Sequence, residues 1–328
     1  MNIAILGASG VVGREMLKIL EERNFPVEEL KLLSGPSSAG KTCKFKGKEY
    51  IFEEASEDSF KGIDLVLGAA ENDVAIRFAP AIKAAGAVFV DNSSAFRLNE
   101  DVPLVVPEIN GQDVKDHNGI IANPNCVTII ALVAINALAK LSPVKTIVAS
   151  TYQAVSGAGK AGLAELEQQI TDYAAGKELE VKAFAKQIAF NLIPKIGGIT
   201  DNGYSKEEMK LLNEGRKILH NDTMKVSCTC IRVPVLRSHS ISMNILFEDK
   251  INVEQAREAL KNAPGVALLD DAANEEYPTP LLTTDQDLVY VGRLREDPIN
   301  GGLALWCCGD QIRKGAATNA VQIAELLV

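Results

Sequence analysis

Residues Asn2–Glu22 read NIAILGASGVVGREMLKILEE, a run whose apolar period changes partway along. NIAIL is short and continuously apolar, as a buried strand is, whereas VGREMLKILEE repeats its apolar residues at helical spacing. Between them stands a turn made of Gly7, Ala8, Ser9, Gly10, Val11, Val12 and Gly13. Its glycines permit a tight bend, close approach of backbone to a pyrophosphate, and close packing of helix on strand. The helix start adds unpaired N–H groups and a positive dipole end. The spacing is GxxGxxG, where GxGxxG is commoner, and a purely structural βα turn would show the same glycines. Placement between a strand and a helix favours a dinucleotide turn.

The same alternation continues outward. LKLLS, IDLVLGAA and AVFVDNS read as further strands, and DVAIRFAPAIKAAG as a helix among them. Strands alternating with helices predict a doubly wound, mostly parallel, Rossmann-like sheet. Past residue 125 the texture changes. A long apolar helix, VTIIALVAINALAKL, leads to a strand, KTIVASTYQAV, then to a helix over 163–175. VSCTCIRVPV and HSISMNILFE are rich in β-branched residues and predict an antiparallel or mixed sheet. INVEQAREALKNAPG predicts a helix capped by Asn252 and ending near Gly265. The chain of 328 residues exceeds one ordinary core. The fold class expected is α/β: a nucleotide-binding domain over 1–125, then an α+β catalytic and dimerisation domain over 126–312. The amphipathic terminal helix, 313–328, is expected to pack back on the first domain.

Composition excludes several classes. A net charge of −9 without a long basic run argues against nucleic acid or anionic membrane as partners. The apolar segments are broken well short of a transmembrane span. MNIAILGASG lacks the basic region and cleavage site of a signal peptide, so a cytoplasmic location is expected. Six cysteines in so long a chain suit a reducing compartment better than a disulfide scaffold. Cys228-Thr-Cys230, Cys307-Cys308 and three histidines lack the spacing of a zinc site, so no metal is expected.

The choice of dinucleotide turns on the end of the second strand, where an NAD site carries an acid for the ribose 2′-OH. LLSGPSSAGK (32–41) has no acid there, but has Ser34, Ser37, Ser38 and Lys41. Hydroxyls and a cation suit a 2′-phosphate, so NADP is expected.

The reactive centre is read from ANPNCVTIIALVAINAL (122–138). Pro124 turns the preceding residue away from helix, Asn125 is a candidate cap, and Cys126 falls at the first helical position. There the dipole and free N–H groups favour thiolate and can hold an oxyanion. A buried structural cysteine is the competing reading. Arg97, in DNSSAFR after a parallel strand, is a candidate grip for an oxyanion. Gln153 ends a strand beside the Ser156-Gly157 turn. Arg232 and His239 flank RVPVLRSHS, which makes His239 a candidate acid/base. Glu207 and Lys210 share a helix face, commonly a solvated ion pair.

Together these segments resemble the aspartate-semialdehyde dehydrogenase family in its bacterial form. GASGVVG, SAGK, DNSSAFR, DVPLVVPEIN, IIANPNC, STYQAVSGAGK, IAFNLIPKI, TDNGYSKEEMK, RVPV..HS and KGAATNAVQIAE run through the whole chain in the family's order. The resemblance implies a fold shared with glyceraldehyde-3-phosphate dehydrogenase and a homodimer. It implies reversible reductive dephosphorylation of L-aspartyl 4-phosphate by NADPH to L-aspartate 4-semialdehyde and phosphate. That reaction lies at the branch toward lysine (via diaminopimelate), threonine and methionine. Carried over by motif, Cys126 is the nucleophile, His239 the general acid/base, and Gln153 positions the acyl group. Arg232 binds the substrate carboxylate and Glu207 its amino group, while Arg97, Asn125 and Lys210 hold phosphate. Ser156, Gly157 and Asn319 are implied near the nicotinamide. One departure stands out: many relatives place an arginine before Ser-Ala-Gly-Lys, and this chain has Ser37. That narrows the expected margin of NADP over NAD.

Two alternatives compete. N-acetyl-γ-glutamyl-phosphate reductases usually precede their cysteine with Asn-Pro-Gly, whereas this chain has Asn-Pro-Asn. A non-catalytic nucleotide-binding homologue would have no need to keep Cys126, Gln153, Arg232 and His239 together.

Overall fold

The computed structural model describes all residues, Met1–Val328, as two compact units. One comprises Met1–Asn125 with Ala316–Val328, the other Cys126–Gly315. In chain order the first unit holds β1 (Asn2–Leu6), α1 (Val11–Glu22), β2 (Glu29–Ser34), β3 (Thr42–Phe45) and β4 (Lys48–Glu54). It continues with β5 (Leu65–Gly68), α2 (Asn72–Ala84), β6 (Val88–Asp91), the single turn α3 (Pro107–Asn110) and β7 (Ile120–Ala122). The second holds α4 (Cys126–Ala139), β8 (Val144–Gln153), α5 (Gly159–Ala174), α6 (Lys206–Leu219), β9 (Lys225–Arg232) and β10 (His239–Phe247). It ends with α7 (Val253–Lys261), β11 (Val266–Leu268), the short α8 (Pro280–Thr283), β12 (Val289–Glu296) and β13 (Leu303–Gly309). A π-helical turn, Arg313–Ala317, leads into α9 (Thr318–Glu325).

The first sheet has the order β3-β4-β2-β1-β5-β6-β7 and is parallel except for the β3–β4 hairpin. The strand order reverses at β1, which makes the crevice at its carboxyl end the place where an open α/β sheet binds ligands. The hairpin is absent from the strand–helix alternation read in the sequence. Its turn is Lys46-Gly47, with φ of 47° and 77°, the pair of positive values that a two-residue hairpin needs. The terminal helix is likewise interrupted, because 313–317 forms a π turn before α9 begins at Thr318. α9 packs on α1, α3, β5 and β6, and Glu325 pairs with Arg23 at 2.6 Å.

The second sheet has the order β11-β12-β13-β10-β8-β9 and is mixed, as the β-branched strands predicted. β8 runs parallel to β9 and antiparallel to β10. Consequently the end of β8 (Gln153), the end of β9 (Arg232) and the start of β10 (His239) meet at one edge. α4 lies on this sheet, packed against β10, β12 and β13 and between α6 and α7. It is apolar on all sides and 11 of its 14 residues are buried, the pattern of a helix enclosed by other elements. Gly309 on β13 leaves the room that Ile130 fills: a Cβ there would stand 3.0 Å from that side chain. α7 is capped as read, with Asn252 accepting from Gln255 N–H at 2.9 Å. Ile130→Ala empties the centre of this packing, so the stability of the second unit is expected to fall by about 2–5 kcal/mol. Urea unfolding of the variant checks it; a loss within error would mean that α4 is not a core element.

Candidate active site

The glycine turn is built as a cradle. Gly7 has φ +88°, and a Cβ on it would lie 2.5 Å from the carbonyl oxygen of Ala69. Gly7 and Ala8 donate to Leu33 O at 2.9 and 3.0 Å, tying the turn to β2. Gly13 leaves no room for a Cβ against Gly7 and Ala8. Gly10 precedes α1, and no side chain caps the helix start, which leaves first-turn N–H groups there for a ligand. A backbone cradle next to an uncapped helix start fits a dinucleotide pyrophosphate. Ser34, the last residue of β2, is buried and its hydroxyl contacts Gly35 O at 3.3 Å, whereas beyond the strand Ser37 is exposed and Ser38 half-buried. Lys41 Nζ donates to Ser37 O at 2.9 Å. In the same unit Arg97 is buried, donating to the carbonyls of Asn123 (2.9 Å) and Asn92 (2.7 Å). Asn319, also buried, donates to Val105 O (2.9 Å) and Asn123 Oδ1 (2.7 Å). Arg97 and Asn319 thus both brace backbone carbonyls. Asn125 is buried at its end.

The second unit gathers Cys126, Gln153, Glu207, Lys210, Arg232 and His239. Cys126 opens α4, as the Asn-Pro-Asn stretch predicted, and is partly exposed. A Cβ on Gly315 would lie 3.0 Å from the Cys126 Cβ, so that glycine is the close wall behind the cysteine. Gln153 Oε1 accepts from Thr151 Oγ1 (3.0 Å) and its Nε2 donates to Glu207 Oε1 (3.2 Å). This fixes the amide orientation and leaves a second Nε2–H to offer a ligand. Glu207 Oε2 accepts from Lys210 Nζ at 2.7 Å.

Arg232 is buried, with Nη1 donating to Ala154 O at 2.6 Å and no other protein acceptor for its side chain. Burial pulls its pKa down, while the neighbouring Cys126 and Glu207 favour the cation. The free Nε–Nη2 edge is the fork that a carboxylate fits bidentately.

His239 is fully buried and Nδ1 accepts from the backbone N–H of Ala154 at 3.0 Å. That bond places the proton of a neutral ring on Nε2, and Nε2 has no protein partner. Burial pushes the His239 pKa down to about 3, helped by the Arg232 cation and opposed by Glu207. The arrangement narrows the acid/base reading to its donor half: Nε2–H is ready to donate, and taking up a second proton would cost the Ala154 bond. Gly157 closes the pocket wall, since a Cβ on it would stand 2.8 Å from Arg232 Nη1 and 3.3 Å from His239 Cε1.

Three supports carry no sequence signal. Ser238 adopts φ +71°, a left-handed value that only tertiary contacts hold in a non-glycine residue. Its N–H donates to Gln311 Oε1 at 2.8 Å, and Gln311 Nε2 donates to the buried Ser156 Oγ. Arg237, one residue earlier, is pinned by Asp310 (2.7 Å) and Asp285 (3.0 Å) and is taken up in structure. The residues at the end of β13 therefore set the turn that aims His239. The third support is the N–H of Ala154, a backbone group that no residue type announces.

The imidazole of His239 is expected to remain neutral, protonated on Nε2, down to about pH 3. Because the folded value lies below the ordinary 6.5, protonation favours the unfolded chain, and stability present above pH 6.5 declines as pH falls toward 3. Nitrogen-15 shifts of the ring across pH 5–8 check it; an imidazolium signal in that range would refute the assignment.

Comparison with known proteins finds matches along nearly the whole chain. Residues 2–117 match the family described as semialdehyde dehydrogenase, NAD binding domain, and residues 135–314 its dimerisation domain. An aspartate-semialdehyde dehydrogenase of Aquifex aeolicus is 51% identical over 100% of this chain and 98% of its own. That of Synechocystis is 50% identical over 100% and 97%. A crystal structure of aspartate semialdehyde dehydrogenase II from Vibrio cholerae, complexed with ASA, superposes with a TM-score of 0.97. It is 42% identical and covers 99% of this chain and 97% of its own.

Proposed function

The chain belongs to the aspartate-semialdehyde dehydrogenase family, and from that premise we propose that it reduces L-aspartyl 4-phosphate to L-aspartate 4-semialdehyde with NADPH. The observation that carries the reading is the convergence, in one unit, of a cysteine at a helix start, an unpaired arginine fork and a buried histidine with a free Nε2–H. The pathway proposed is the branch toward lysine (via diaminopimelate), threonine and methionine, in the cytoplasm.

The steps follow from these residue types. Negative charge on the Cys126 sulfur is favoured by the α4 dipole and the first-turn N–H groups. Sulfur bonds to the acyl carbon, the carbon–oxygen bond to phosphate breaks, and a thioester remains. Arg97, Asn125 and Lys210 are assigned to phosphate by motif, and cations there would neutralise the charge the leaving group gains. The Arg232 fork takes the α-carboxylate and Glu207 the amino group. Gln153 directs its spare Nε2–H to the acyl oxygen. When bound at the glycine turn, reduced nicotinamide supplies hydride to the thioester carbon. His239 Nε2–H hydrogen-bonds the oxygen that then carries charge and keeps its own proton. As the carbonyl re-forms, the carbon–sulfur bond breaks and thiolate is regenerated. Ser156, Gly157 and Asn319 are proposed toward the nicotinamide end; Gly157 also confines Arg232 and His239.

A homodimer is part of the proposal, supported by the match of 135–314 to a dimerisation domain. No helix is long and apolar enough to cross a membrane.

Cys126→Ala is expected to abolish phosphate-dependent reduction of NADP by aspartate semialdehyde, with cofactor affinity unchanged by titration. Turnover in that variant would sink the thioester route. Arg232→Lys keeps the charge but removes the fork, so kcat/KM is expected to drop roughly 100-fold or more, a charge-assisted contact of about 3 kcal/mol. Wild-type kinetics in that lysine variant would mean that the carboxylate binds elsewhere.

A further inference from the structure

Arg14 follows the last glycine of the dinucleotide turn. Its Nε donates back to Ser9 O at 3.3 Å, the N-terminal lean that helical side chains adopt. The guanidinium carbon lies 5.4 Å from the centroid of the Phe52 ring on β4, which is fully buried and so cannot yield. Phe52 is also the anchor of the serine loop. Its N–H donates to Lys41 O and its carbonyl accepts from Gly40 N–H, each at 2.8 Å. The glycine turn is tied to the same region through Leu33 O, one residue before Ser34. Arg14 thus stands where the glycine turn, the end of β2 and the serine loop converge, all within one unit.

Two features set it apart from an ordinary surface arginine. Its charge is paired with no carboxylate, and it is exposed. It also sits near the start of α1, where the helix dipole disfavours a cation and no acidic residue in the first turn offsets it. An unpaired cation kept at that position, with its plane steadied by an aromatic ring, is poised for an anion.

We propose that Arg14 recognises the 2′-phosphate of the dinucleotide, supplying from the helix the planar cation that the serine loop lacks at Ser37. The assignment rests on the NADP reading above and names the residue that enforces it. A guanidinium can meet two phosphate oxygens at once, and its contact with the Phe52 ring reduces the ordering cost of holding it there. Ser37 and Ser38 add hydroxyl donors, while Lys41, folded onto Ser37 O, is less free to do so. Glu54, in register with Ser34 on the neighbouring strand, is the competing group, since an acid there would serve a ribose 2′-OH instead.

Calorimetric titration with 2′,5′-ADP and with 5′-AMP, which differ in the 2′-phosphate, tests this without turnover. The wild type is expected to bind 2′,5′-ADP the more tightly. Arg14→Ala should weaken 2′,5′-ADP by roughly 10- to 100-fold, the worth of a charge-assisted contact, and leave 5′-AMP unchanged. Arg14→Lys should recover part of the loss. Equal wild-type affinity for both nucleotides would overturn the NADP reading itself. A wild-type preference that survives in Arg14→Ala would overturn only the role of Arg14. Equal weakening of both nucleotides would also overturn it, by showing that Arg14 supports the turn and not the 2′-phosphate.

Discussion

The direction of one strand governs the catalytic unit. β8 pairs in parallel with β9 on one side and antiparallel with β10 on the other. A strand end, a second strand end and a strand start therefore fall at the same edge, which brings Gln153, Arg232 and His239 together. Reversing either pairing would send Arg232 or His239 to the opposite edge. The residue after the shared edge, Ala154, then serves both neighbours: its carbonyl holds Arg232 and its N–H holds His239. One peptide position thus couples the Arg232 guanidinium to the His239 ring.

Burial gives this edge its chemistry. A histidine in water would be partly charged near neutrality, but His239 is enclosed and faces a cation, so it is held neutral. Neutrality keeps the proton on Nε2 and leaves the ring able to donate without adding positive charge beside Arg232. The same enclosure would ruin an arginine with no partner, and the neighbouring Cys126 and Glu207 offset part of that cost. The Glu207–Lys210 ion pair, at i and i+3 on α6, adds little to the stability of the fold.

Cofactor recognition follows a different logic. The turn at Gly7 and Gly13 works through what is absent, because a Cβ at either place would collide with backbone. Steric room of that kind is sequence-tolerant elsewhere and strict at the glycines. The loop beyond β2 is freer, and its missing arginine can be answered from another element so long as the guanidinium reaches the same volume. Arg14, one residue from the glycines in sequence, lies against Phe52, the residue that anchors that loop.

The local features of this protein were legible in its sequence because they depend on neighbours along the chain. A glycine turn between strand and helix, a proline that stops the chain before Cys126, and the Asn252 cap all act over a few residues. So did the i, i+3 pairing of Glu207 with Lys210. The β3–β4 hairpin escaped, since its Lys-Gly turn is a weak signal set among charged residues, and so did the π turn before α9. What tertiary structure alone decided is how distant positions meet. Strand order joined Gln153, Arg232 and His239; Asp310 and Gln311 held the strained turn at Ser238; a backbone N–H chose the tautomer of His239. Phe52, far along the chain, gave Arg14 its orientation. These outcomes rest on burial and on hydrogen bonds between segments remote in sequence, and a single residue type carries no record of either.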